Sequence, residues 1–94
     1  MNNTITAARH DIGDLAVAYA DIMRFHVTGS SFHIGSHGPR NVLNTYLRLS
    51  EKLGVKLIND YCIASISKQI EDDEKLSLAI ALRTFGPRPV AANQ

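Results

Sequence analysis

Cysteine is nearly absent from this sequence: Cys62 stands alone, so no disulfide can close within the chain. That excludes the disulfide-stapled class of small secreted domains and fits a reducing compartment. Long apolar runs are missing too. None approaches the roughly 20 residues of a membrane span, and the opening "MNNTITAARHD" has no charged-then-apolar leader. The expectation is a cytoplasmic protein. An excess of one charge is also lacking, since ten Lys+Arg against nine Asp+Glu leave +1. No global field therefore argues for nucleic acid.

What remains is ordinary globular material. Hydrophobic residues form 45% of the 94 positions and charged ones 20%, enough for one core without metals or disulfides. The reading is a single domain, 1–94, with flexible ends at 1–6 and 87–94, where Pro87 and Pro89 deny the tail a helix. Over residues 7–24, Ala8, Ile12, Leu15, Ala16, Tyr19, Ile22 and Met23 recur at helical spacing behind Thr6 as a cap. Pro39 opens a second helix, capped by Gly38 or Ser36, and Gly54 closes it. Val42, Leu43, Tyr46, Leu47 and Leu53 form its apolar face, with Leu49 beside it.

The final third admits two patterns. Asn59 or Asp60, then Asp72 or Asp73, are helix caps ahead of Ile63, Ile66, Ile70 and of Leu78, Ala81, Leu82, Phe85, with Gly86-Pro87 as a stop. Leu76, Leu78, Ile80 and Leu82 also alternate strictly, as a strand would. Glu, Lys, Leu and Ala dominate the segment and favour helix. The fold expectation is a mainly α, small single-domain protein that admits a β-hairpin between its first two helices. An α+β fold with a C-terminal hairpin is the alternative.

The stretch "RFHVTGSSFHIGSHGPR", residues 24–40, carries three of the four histidines. It contains an echo, "FHV" and "FHI", around Thr28-Gly29-Ser30-Ser31, which suits a hairpin with Phe25 and Val27 on one face of the first strand and Phe32 and Ile34 on the corresponding face of the second. His33 and His37 have the i,i+4 spacing of a zinc-binding helix. Position 34 is Ile where the zincin pattern needs glutamate, and Gly35, Gly38 and Pro39 break the helix. No metal site is expected from the histidines, nor from Cys62 with them.

Nucleophile patterns fail similarly. "GSHG" sets Ser36 beside His37 but lacks glycines two residues either side of the serine. Cys62 lies in the apolar "YCIAS", which suits an inert core thiol. "EDDE" has no apolar surroundings to raise a carboxyl pKa. The Gly35–Arg40 loop presents backbone N–H groups to an anion, yet lacks the Gly-Lys-Ser/Thr ending of a nucleotide loop. No enzyme and no cofactor are expected.

Two binding readings survive. The first is a small non-enzymatic interaction or regulatory protein, an inhibitor or adaptor of the kind phages and bacteria encode, binding a larger protein or pairing as a homodimer. Its candidate surface residues are Phe25, Phe32 and Arg40 in the loop and the acidic stripe Asp11, Asp14 and Asp21. The second is a helix-turn-helix-like DNA regulator built on "LRLSEKLGVKLIND". Asn59, Ser65, Ser67, Lys68 and Gln69 would be its base-facing residues.

Overall fold

The computed structural model describes residues 2–86 as three α-helices around one core, with no strand among them. The helices are α1 (Asn2–Thr28), α2 (Gly38–Leu53) and α3 (Asp60–Phe85), and a 3₁₀ segment, Phe32–His37, links the first two. The mainly α expectation holds. The helix α1 takes in residues 2–6; the expected flexible tail, 87–94, lies outside the described residues.

The hairpin at 25–34 does not form, because the polar side chains of its supposed turn bind the backbone locally instead. Thr28 Oγ1 donates to the Arg24 carbonyl at 2.7 Å and accepts from the Ser30 N–H at 3.1 Å. Gly29 takes a left-handed φ of 72° and donates to the Phe25 carbonyl at 2.7 Å, ending α1 in a C-cap. "FHV" is thus the last turn of α1. "FHI" belongs to the 3₁₀ segment, where Ile34 turns inward and Phe32 outward.

α1 and α2 pack as an antiparallel pair: Lys52, near the end of α2, reaches Asp11 of α1 at 2.9 Å. Leu15, Ala18, Ile22 and Phe25 meet Leu43, Tyr46 and Leu49, and Ile58, Ile66 and Ile70 close the third side. The α2 stripe is centred one position from its expected place, since Leu49 is buried and Leu47 is exposed. Gly54 ends α2 in the left-handed region at φ 66°, with its N–H on Glu51 and that of Val55 on Ser50.

α3 is one helix, not two and not a hairpin. The Asn59 side chain accepts the Cys62 N–H at 2.7 Å and starts it; Gly86 donates to the Leu82 carbonyl at 2.8 Å and ends it. Asp72 and Asp73 lie inside rather than at a cap. Ion pairs from Lys68 to Asp72 at 2.9 Å and from Lys75 to Glu71 at 3.4 Å span the point where a break was admitted.

Only the first half of α3 is packed. After Ile70 no described residue of the helix is buried. Arg40 makes the last tie to the bundle, a bidentate pair with Glu74 at 2.6 and 2.8 Å. Beyond it the helix extends about 17 Å at 1.5 Å per residue. The molecule accordingly measures 61 × 28 × 20 Å, with a radius of gyration of 17.3 Å. A compact chain of this length would have a radius of roughly 12 Å.

Candidate functional site

The sequence candidates scatter rather than converge. Phe25 is fully buried in the core, whereas Phe32 is 92% exposed. Arg40 is engaged with Glu74, a charge-assisted pair that raises the guanidinium pKa and lowers that of the carboxyl. In the acidic stripe Asp11 turns to Lys52, and Asp21 lies 4.0 Å from Arg24. Asp14 and Asp21 line an open cleft of about 280 Å³ between α1 and α2, with Val17, His37, Asn41 and Thr45.

Two of the three histidines of residues 24–40, His26 and His33, hold parts of the fold together. His26 Nδ1 lies 2.9 Å from Gln69 Oε1, and the Gln69 amide nitrogen donates to the Phe25 and His26 carbonyls at 3.3 Å each. Because the amide NH₂ faces carbonyls, its oxygen is left to accept, and His26 Nδ1 is the donor. His33 Nε2 donates to the Asp21 carbonyl at 3.0 Å and ties the 3₁₀ segment to α1. Among the described residues no three His, Cys, Asp or Glu side chains gather as a metal site would require.

The DNA-facing candidates fare unevenly. Asn59 caps α3, and Gln69 is the clamp just described. Lys68 is paired with Asp72, whose hydrogen bond raises the ammonium pKa. Ser65 and Ser67 are exposed on α3. Six residues, 54–59, separate α2 from α3, more than the three or four of a compact helix-turn-helix.

The feature that residue-type motifs missed is the second half of α3. Leu76, Leu78, Ile80, Leu82 and Phe85 are 60%, 61%, 54%, 47% and 83% exposed. On a helix the alternation that resembled a strand sends successive residues to opposite sides. One stripe therefore holds Leu78, Leu82 and Phe85; a nearly opposite one holds Leu76 and Ile80. The helix is therefore apolar on two sides, and both stripes are open to solvent. The signal lay in the sequence as an unresolved period, and only the length of α3 turns it into a surface.

At its root the acidic run Glu71–Glu74 is largely neutralised. Glu71 meets Lys75, Asp72 meets Lys68 and Glu74 meets Arg40. Asp73 and, near the tip, Arg83 form no ion pair among the described residues. No helix of the described residues is long and apolar enough to cross a membrane. No protein-family model, curated protein or solved structure matches the chain.

Proposed function

We propose that this chain is a non-enzymatic protein–protein interaction module, a regulatory protein of the inhibitor or adaptor type, and that the second half of α3 is its binding element. One observation carries the reading: residues 76–85 expose five large apolar side chains on a helix fixed at its root by the Arg40–Glu74 pair. An amphipathic helix presented ready-formed loses little conformational entropy when it enters a groove or another bundle. The side chains that best suit anchoring are Leu78, Leu82 and Phe85, with Phe32 as an aromatic at the same end of the bundle.

DNA binding is the alternative, and no geometric observation favours it. Its five candidates include a helix cap, an interhelical clamp and a lysine already paired with an aspartate.

The test is capture by the immobilised full chain, compared with a Leu78→Glu/Leu82→Glu variant whose helicity is checked by circular dichroism. The expected result is a stoichiometric partner of another sequence, captured by the wild type and lost in the variant. Binding that survives the double substitution moves the site elsewhere. Absence of any protein partner, with salt-sensitive duplex binding instead, sinks the reading in favour of DNA.

A further inference from the structure

Building on the interaction reading, we infer that the occupant of the Leu76/Ile80 stripe is a second copy of this chain, its α3 lying antiparallel to the first about a two-fold axis at Leu78. The stripe is wider than its two apolar residues. Asp73, Leu76, Ile80 and Arg83 follow one another at spacings of three, four and three, the repeat of a coiled-coil seam. All four fall on one face of the helix.

That seam is complementary to its own reverse. Turned about residue 78, Leu76 of one copy meets Ile80 of the other, and Asp73 meets Arg83, at both ends. Asp73 and Arg83 are the charges of this segment that form no ion pair among the described residues. In a parallel, in-register pair the same seam would set Asp73 against Asp73 and Arg83 against Arg83, which is unfavourable.

The length of the exposed segment selects the same register independently. It runs from Glu71, just past buried Ile70, to Phe85, just before the Gly86 cap, and its midpoint is Leu78. An overlap centred there lets each helix stop where the partner's bundle begins. Each Phe85 then lies level with the partner subunit's Glu71, the end of the bundle at which Val27 and Phe32 are 78% and 92% exposed. The antiparallel arrangement also sets the two helix dipoles in opposition, head to tail.

A seam of two layers is smaller than the roughly 800 Å² per partner of a standard interface. The dimer is therefore expected to form with a midpoint on the order of micromolar.

The experiment is sedimentation equilibrium of the full chain from about 1 to about 500 µM, applied to four proteins: wild type, Asp73→Arg, Arg83→Asp and the double swap. Each single substitution is expected to raise the dimer midpoint by about tenfold or more, through two like-charge contacts per dimer. The swap is expected to recover it. Arg83 is exposed, Asp73 is half-buried, and neither forms an ion pair among the described residues, so all four should show the same helicity by circular dichroism at a concentration where each is monomeric.

A wild type that stays monomeric throughout overturns the pairing. If that monomer still captures a different protein through Leu78 and Leu82, the broader interaction reading stands without it. A dimer indifferent to the single substitutions overturns the seam, and a dimer that the swap fails to rescue overturns the antiparallel register.

Discussion

Tyr46 shows how a single residue closes this fold. It is 1% exposed, and its hydroxyl accepts the backbone N–H groups of Leu57 at 3.0 Å and Ile58 at 2.9 Å. The loop after Gly54 would otherwise bury donors with no partner. Tyr46→Phe keeps the ring and strands both groups, which should cost about 2 kcal/mol in chemical denaturation. A loss of a few tenths would show that the loop relaxes to solvent. At the bundle's end, Glu74 titrates below the usual carboxylate range because it accepts hydrogen bonds from Arg40. A depressed carboxyl pKa contributes stability above the unfolded value, and that contribution disappears as pH falls through the folded one. Both groups are solvent-exposed, so screening keeps the effect small. Glu74→Gln should melt slightly below wild type at neutral pH, with the gap closing as the medium becomes acidic enough to protonate the wild-type carboxyl. A gap that persists in acid would trace the loss to something other than charge.

The elements were legible in the sequence to the extent that their punctuation was backbone chemistry. Pro39, Gly54, Asn59 and Gly86 mark helix ends because each has a conformational or hydrogen-bonding reason to sit there. The stretch "FHVTGSSFHI" misled because Thr28, Gly29 and Ser30 satisfy a turn and a helix C-cap equally well; the choice fell to Phe25, whose burial in the core keeps that residue on α1. The division of α3 was equally hidden, since acidic residues suit a helix start until lysines four residues away make them a helix interior. Of the site, the sequence showed the apolar residues but not that they would be uncovered. Exposure depends on where the bundle ends, which no local pattern encodes. The contrast can be measured along one helix. Ile66→Ala, at a fully buried position, should cost about 2–5 kcal/mol. Leu82→Ser, on the same helix but 47% exposed, should change stability by less than about 1 kcal/mol, its only loss being helix propensity. Equal penalties would mean that the far half of α3 is covered in the folded chain.

At the scale of the whole molecule, the unusual property is an apolar rod, the second half of α3, that projects from a three-helix core. The rod adds length without adding core, and with the start of α1, which runs on past the Asp11–Lys52 pair, it contributes to a 61 Å longest dimension in so short a chain. Such a shape makes the mode of self-association visible in solution. Two copies that folded back against each other along their bundles would gain mass while staying close to the length of one. Two copies joined only through their projecting helices would share about 22 Å of overlap over residues 71–85 and reach about 100 Å end to end, from the 61 Å extent of each. Small-angle X-ray scattering over a concentration series should therefore show the maximum dimension growing from about 60 Å towards about 100 Å as the forward-scattered intensity doubles. Asp73→Arg should hold the short form to higher concentration. An intensity that doubles with no gain in length would place the contact on the bundle, and the open cleft beside Asp14 and Asp21 would become the face to examine.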